Sequence, residues 1–365
     1  MRIKDIEVGK IRLPLNTEYS LGVERAKNPK EIVIKVITDT GEIGIGSAAA
    51  TPNITGDIEA SIIGAIHFIK PYILDMNIDC RDEIMHVINK NLVHNNSAKA
   101  AIDMAIYDLF CKKYGIPLYK LLGGYGYSIG TDITINYGTV EEMVTKSVEA
   151  SMGGCDCLKI KIGYTDDVAG DLERVFAIKK AVKRDTRIRI DGNQGWGPKE
   201  AVKIIRRIEN MGLDIEFVEQ PVKAWDFEGL KYVTDHVDTD ILADESVMGP
   251  PQAFKIINAR GADLIGIKLM KCGGIHNAMK IYSMAETMGI KCMMGCMIES
   301  RIGITAAASF AVARGNMIKS DLDTMLRFSH NPIIGGVSLE KDILTLPDKP
   351  GLGIEEVRGW EKIEL

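Results

Sequence analysis

The chain is poor in the residues that most often announce chemistry. It carries six histidines in 365 residues, with no HExxH pattern and no pair at i, i+4, which argues against a zinc hydrolase site. Its seven cysteines (Cys80, Cys111, Cys155, Cys157, Cys272, Cys292 and Cys296) are odd in number and lack CxxC spacing. They read as small buried hydrophobes of a reducing cytoplasm, not as staples or zinc ligands. Lysines and arginines are scattered without a basic block or interleaved aromatics, at a formal charge of −5. Nucleic acid and anionic membranes are therefore not expected as partners. No apolar run approaches the ~18 residues of a membrane span. The opening MRIKDIEVGKIRLPL alternates like a strand and has no apolar signal-peptide core. Carboxylates and lysines are left as the candidates for chemistry.

Against those absences stands an ordinary globular composition, 46% hydrophobic and 26% charged. At 365 residues the chain exceeds a typical single core, which points to two domains or one barrel with additions. The pattern predicts strands over 2–13, 31–39 and 42–48, the last two joined by the turn Thr38-Asp39-Thr40-Gly41. A polar loop, 16–30, is long enough to serve as a lid. A second loop, 49–58, leads into helical periodicity over 57–73, 79–93 and 96–114, the last with a glycine stop.

After LGGYG (122–126) short apolar strands alternate with amphipathic helices. The strands read IGTDITI, CLKIKIG, RIRIDGN, IEFVEQP, DILADES, DLIGIKLMK and KCMMGCM. Sustained βα alternation means parallel strands with helical crossovers. Seven or eight units in about 195 residues favour a closed (β/α) barrel over an open sheet. From about residue 315 no further βα unit is visible, and TLPDKPGLG reads as a polar connector in a tail that returns to the N-terminal unit. The expected division is 1–122 as an α+β capping domain, 123–320 as the barrel, and 321–365 as a closing C-terminal segment.

The stretch CDCLKIKIG (155–163) threads two lysines into one apolar strand. In isolation that is an amphipathic surface strand. The other strand ends alter the reading: after Lys159 and Lys161 come Asp191, Glu219, Asp244 and Lys268, each roughly 24 to 30 residues beyond the last, one βα unit apiece. In a parallel barrel all of these ends open onto the C-terminal face, where such enzymes hold their active sites. Residues two apart in a strand share a face, so Lys159 and Lys161 point the same way. Three carboxylates without histidine or thiolate are hard oxygen ligands suited to Mg²⁺. Any one of them alone would read as a helix cap or loop charge. Asn193 and Glu245 adjoin the ligands and are read as groups that orient them. A free lysine is deprotonated in only about one molecule in 2,500 at pH 7. Crowding of cations is expected to lower a lysine pKa and produce a usable base, in the manner described for Lys-plus-Mg²⁺ sites that stabilise enediolates.

Taken in order, KIKIG, IDGNQGW, VEQP, ADES and IKLMKCGG resemble the enolase superfamily in its muconate-lactonizing-enzyme subgroup, over essentially the whole chain. The resemblance implies a modified TIM barrel, (β/α)7β-like, under an α+β capping domain. It implies one Mg²⁺ per subunit on Asp191, Glu219 and Asp244, with Mn²⁺ able to substitute. Lys161 and Lys268 become the acid/base pair on opposite faces of the substrate, and Lys159 their electrostatic helper. Within the subgroup, Asp321 and Asp323 in SDLDTML resemble the dipeptide epimerase signature, in which two carboxylates hold the substrate α-ammonium. On their own the two acids would read as a solvated loop. PNITGD and MIESRIGITAAASFA also resemble that group, which adds Ile54, Thr55, Ile298 and Ser300 as substrate contacts. The implied activity is inversion of the C-terminal α-carbon of an L,L-dipeptide through a metal-stabilised enediolate. The alternatives are o-succinylbenzoate synthase, N-acylamino acid racemase or cycloisomerase chemistry and, more remotely, a non-catalytic barrel binding a small acid or peptide. Side-chain specificity is expected from the capping loops, where either Glu24 or Arg25 faces the site. Met293, Met294 and Met297 read as plain core. The expected setting is cytoplasmic, the partner a dipeptide, and assembly into a homo-oligomer is left open.

Overall fold

The structure, a computed structural model, describes all residues except 17, 18, 22, 23, 27, 28, 165, 166 and 365, and for 19–21 and 24–26 it describes the backbone alone. The chain begins with β1 (Ile3–Arg12), β2 (Lys30–Thr38) and β3 (Ile43–Ala49), paired antiparallel in that order. Between β1 and β2, Tyr19–Leu21 and Glu24–Ala26 pair as a short hairpin in the stretch expected to be a loop. The β-branched run of β2 buries Ile32, Val33, Ile34 and Val36 completely. Three helices cover the sheet: α1 (Glu59–Ile73), α2 (Arg81–Asn91) and α3 (Asn96–Tyr114). α3 is buried on nearly every side, and it ends at Gly115, whose φ of +68° forms a left-handed cap. It lies so close to β3 that a Cβ on Gly46 would stand 1.9 Å from the Ala101 carbonyl oxygen.

Eight parallel strands follow: β4 (Ile133–Ile135), β5 (Cys157–Lys161), β6 (Arg187–Asp191), β7 (Val218–Glu219), β8 (Ile241–Ala243), β9 (Leu264–Lys268), β10 (Lys291–Gly295) and β11 (Met317–Asp321). They neighbour one another in chain order within a single sheet. Between them run α4 (Val140–Met152), α5 (Val168–Ala181), α6 (Pro198–Asn210), α7 (Phe227–His236), α8 (Pro250–Ala259), α9 (Ile275–Thr287) and α10 (Arg301–Val312). The helices follow ordinary local rules. α4 starts with a capping box between Thr139 and Glu142, and α6 turns Ala201, Ile204, Ile205 and Ile208 inward.

The expected (β/α)7β barrel over 123–320 implies an eighth strand without a helix after it, and the structure supplies it in a segment that the sequence reading did not name as a strand. Met317–Asp321 pairs in parallel with β10. It escaped notice because MIKSD is half polar. Its side chains face a charged barrel interior: Lys319 pairs with Glu216 at 2.7 Å, and Arg189 pairs with both Glu216 and Asp132, each at 2.7 Å. Bonds beside the last and first strands bring the two ends of the sheet together, among them Leu322 N to Thr131 Oγ1 at 2.7 Å and Thr134 N to Asp323 Oδ2 at 2.8 Å. The tail then returns to the first sheet, where β12 (Glu361–Lys362) pairs antiparallel with β1. Among the described residues no helix is long and apolar enough to cross a membrane.

Candidate active site

The register of the strands builds the site. Lys161 pairs with Asp191 across β5 and β6, and Asp191 pairs with Glu219 across β6 and β7. On the far side, Lys268 pairs with Gly295, and Gly295 with Asp321. Gly295 is needed there because a Cβ would stand 2.7 Å from Lys268 Cε. Asp244 follows directly on β8 and is held by Gln220, whose Oε1 accepts from the Asp244 and Ser246 amides at 2.9 and 3.1 Å. Gln220, Asn193 and Gln194 all have positive φ (36°, 44° and 64°), so left-handed backbone clusters at these strand ends, as it often does at functional sites.

A cavity of about 320 Å³ opens over this floor. Lys159, Lys161, Asp191, Asp244, Lys268, Asp321 and Asp323 line it from the barrel, with Asn193 and Glu245 beside them. The cap supplies Lys30 and Ile54, and the segment after β10 supplies Cys296, Met297 and Ile298. Met293, Met294 and Met297 are all buried as expected, and Met297 also borders the cavity. Two expected contacts lie elsewhere. Thr55 donates its hydroxyl to Thr51 O at 3.1 Å inside its own turn, and Ser300 is buried as the N-cap of α10. The side chains of Glu24 and Arg25 lie outside the described residues.

Lysines and carboxylates interleave. Lys161 Nζ donates to Asp191 Oδ2 and Asn193 Oδ1, both at 3.0 Å. Lys268 Nζ donates to Asp244 Oδ2 at 2.8 Å. Lys159 donates to Asp321 and stands 3.7 Å from Glu219 Oε2. Asn193 also donates its backbone amide to Asp191 Oδ1 at 2.9 Å, and Glu245 accepts from Gln194 at 3.1 Å. The expectation that mutual crowding lowers the lysine pKa values is not met at Lys159 and Lys268. Burial pulls both down, but facing carboxylates outweigh it and hold both ammonium groups well above the ordinary lysine value: Asp321 and Glu219 for Lys159, Asp244 and Glu219 for Lys268. Lys159 does depress Lys268, as a smaller effect.

Sequence reasoning missed Lys271, Tyr164, Thr134, Lys30 and Arg327. Lys271 is fully buried and holds Asp244 through Oδ1 at 2.6 Å and through its main-chain oxygen. Its only signal was a second lysine three residues past a strand end. Tyr164 donates its hydroxyl to Asn193 Oδ1. Thr134 N and Arg327 both bind Asp323 Oδ2, at 2.8 and 3.2 Å.

Among the described residues no three acidic, histidine or cysteine side chains stand close enough to cage an ion as they are, with the lysine ammonium groups lying against their oxygens. The donor set nevertheless fits a hard divalent cation. Both carboxylate oxygens of Glu219 are buried without a hydrogen-bond partner among the described residues. Burial raises the Glu219 pKa well above the usual range; Lys159 opposes this, while Asp191 and Asp244 add to the rise, so the three carboxylates share one field. Such a trio is relieved by a cation between its members.

A parallel eight-stranded barrel under an α+β cap, with acid/base groups on its C-terminal mouth, defines a barrel enzyme of proton-transfer chemistry. Residues 9–123 match the mandelate racemase / muconate lactonizing enzyme N-terminal domain, and residues 141–358 match the enolase C-terminal domain-like family. The chain belongs to this family, within the enolase superfamily. It is 47% identical over 358 residues to the L-Ala-D/L-Glu epimerase of Clostridium acetobutylicum, covering 98% of this chain and 99% of the relative. A substrate-liganded structure of the L-Ala-D/L-Glu epimerase from Bacillus subtilis superposes with a TM-score of 0.94 at 44% identity, covering 97% and 99% of the two chains. The dipeptide epimerase of Enterococcus faecalis, solved with Mg and L-Leu-L-Tyr, also gives 0.94 at 41% identity, covering 98% and 100%.

Proposed function

We propose that this chain is a Mg²⁺-dependent dipeptide epimerase that inverts the α-carbon of the C-terminal residue of an L,L-dipeptide by two-base 1,1-proton transfer. The observation that carries this reading is the placement of Lys161 and Lys268 on the second and sixth of eight strands, so that they border one cavity from opposite sides. An α-carbon between them meets one amine on each face. One lysine takes the proton from its face, and the other returns a proton to the opposite face, which inverts the centre. Neither Lys161 nor Lys268 can act as a base while protonated and paired with a carboxylate, so both depend on what occupies Asp191 and Asp244. Asp191, Glu219 and Asp244 would hold Mg²⁺, which when bound supplies a Lewis acid for the substrate carboxylate and for the extra negative charge of the enediolate.

Asp321 and Asp323 border the same cavity and suit the α-ammonium. Asp323 is pre-oriented by Thr134 N and Arg327, and Asp321 by Lys159, which ties ammonium recognition to the floor of the site. For the inverted residue we favour an acidic side chain. Lys30 brings a cation to the cap side of the cavity, and the relatives of 44% and 47% identity are named for glutamate. Seven unpaired cysteines suit a cytoplasmic setting.

The test is ¹H NMR of a dipeptide library in D₂O with Mg²⁺ and purified protein. Loss of the C-terminal α-proton signal as a second diastereomer grows, fastest for L-Ala-L-Glu, is expected. Turnover of a succinyl substrate by elimination, with no dipeptide exchange, overturns the reading.

A further inference from the structure

Two glutamates outside the catalytic set lie within electrostatic reach of each other where the cap touches the barrel. Glu31 sits on β2, fully buried, beside Lys30, which borders the cavity. Glu299 sits between the cavity-lining segment 296–298 and the N-cap of α10, 1% exposed. Each accepts one backbone amide of the barrel segment: Ser300 N reaches Glu31 Oε2 at 3.0 Å, and Met297 N reaches Glu299 Oε1 at 2.8 Å. The other oxygens, Glu31 Oε1 and Glu299 Oε2, are buried without a hydrogen-bond partner among the described residues. Gly303 leaves the space for the Glu299 oxygen, since a Cβ there would stand 2.3 Å from Oε2.

Two ionised carboxylates in this position would each carry an uncompensated oxygen in a dry interface. We propose that Glu31 and Glu299 act as a neutral carboxyl pair that fastens the capping sheet to the substrate-lining segment, which makes Glu31 a positioning residue for substrate binding. With both groups neutral, the Ser300 N bond to Glu31 ties β2 to the segment carrying Cys296, Met297 and Ile298 without a buried charge at the joint. One clasp sets both walls of the cavity, Lys30 on the cap side and Ile298 on the barrel side.

The surroundings agree with a neutral state. Burial pushes the Glu31 carboxyl up to about 8, with Glu299 adding to the rise and Ser300 opposing it. Burial likewise pushes Glu299 up to about 7, opposed by the Met297 amide and the Lys268 ammonium. The groups facing Glu31 are Glu299, Ser300 and, from β3, Ser47, with apolar Ile11 and Ala49 opposite it on the neighbouring strands. Those facing Glu299 are Lys268 from β9 and the Cys296 thiol. A neutral Glu299 also spares Lys268 a further negative neighbour.

The test compares the wild type with Glu31→Gln and Glu299→Gln, since glutamine keeps the shape and stays uncharged. At neutral pH, infrared difference spectra in D₂O should contain a protonated-carboxyl C=O band that Glu31→Gln lacks. The sign of the stability effect follows from a raised carboxyl pKa. The contribution of Glu31 is complete below its unfolded value and is lost as pH rises through about 8. The Tm advantage of Glu31→Gln over wild type should therefore widen between about pH 5 and about pH 8. The ratio of wild-type to Glu31→Gln KM for the dipeptide should grow at least about threefold over the alkaline limb, with the kcat ratio flat. If no carboxyl band is lost and the Tm gap is independent of pH, the neutral pair is wrong. If those two hold but the KM ratio stays flat, the positioning role is wrong. The KM readout rests on the dipeptide reading, whereas the spectra and melting curves do not, so the two failures are distinguishable. Glu299→Gln carries the same three readouts should Glu31→Gln fail to fold.

Discussion

Lys161 and Lys268 stand four strands apart among the eight of the barrel, and each donates to a different carboxylate of the proposed metal trio, Asp191 at 3.0 Å and Asp244 at 2.8 Å. Each proposed acid/base amine is thus held by one proposed metal-ligand carboxylate. Lys161→Ala and Lys268→Ala should each lower epimerisation by about 10²–10⁴-fold. Each variant should still exchange the α-proton of one diastereomer with D₂O, and a different one in the two cases. NMR of both diastereomers checks this, and interconversion of both at close to the wild-type rate by either variant refutes the two-base assignment.

Asp321 contributes through its charge and its bond to Lys159. Asp321→Ala should raise KM for dipeptides by roughly 10- to 100-fold, in line with a charge-assisted hydrogen bond of about 1.5–3 kcal/mol. It should also narrow the preference for a free over an N-acetylated dipeptide. Steady-state kinetics on the two substrates measures this, and an unchanged preference would sink the ammonium role.

Lys271 has no direct access to the cavity, yet it fixes one oxygen of Asp244 at 2.6 Å and leaves the other for Lys268. Lys271→Met should weaken Mg²⁺ binding by about 10–100-fold, as loss of groups that orient metal ligands does. Isothermal titration calorimetry without substrate reads this directly, and an unchanged affinity means Asp244 is oriented by Gln220 alone.

The charged floor of the barrel makes a pH prediction. Burial opposes ionisation of Glu216, but Arg189 and Lys319 overcome it and hold the carboxyl down to about 2. A depressed carboxyl stabilises the fold above its unfolded value near 4.5, and that contribution is lost as pH falls toward about 2. Wild-type Tm should fall through this window more steeply than that of Glu216→Gln, which should also be less stable at neutral pH because Arg189 and Lys319 lose their acceptor. Thermal melts across the acid range test both parts.

How much of this was legible in the sequence follows from the distance over which each feature is decided. Strands and helices are set by local periodicity, and barrel strands recur one βα unit at a time, so Lys159, Lys161, Asp191, Glu219, Asp244 and Lys268 could be placed at strand ends without coordinates. Parallel topology then brings those ends to one face, which is why the cavity floor was readable. Met317–Asp321 was harder to see because its inward face is polar, and apolar alternation is the only local signal of a strand.

The sequence by itself determined the order of elements, the acid/base inventory and the face on which it gathers. Tertiary structure alone decided the charge state and support of that inventory. Lys159 and Lys268 are pushed well above the ordinary lysine value because carboxylates from other strands outweigh their burial. Thr55 spends its hydroxyl on a bond within its own turn, and Ser300 spends its hydroxyl on capping α10. Lys271 finds Asp244 across 27 residues, and Glu31 meets the barrel segment across 269. Partners so far apart in the chain leave no periodic trace, because their pairing depends on burial and field in the folded interior.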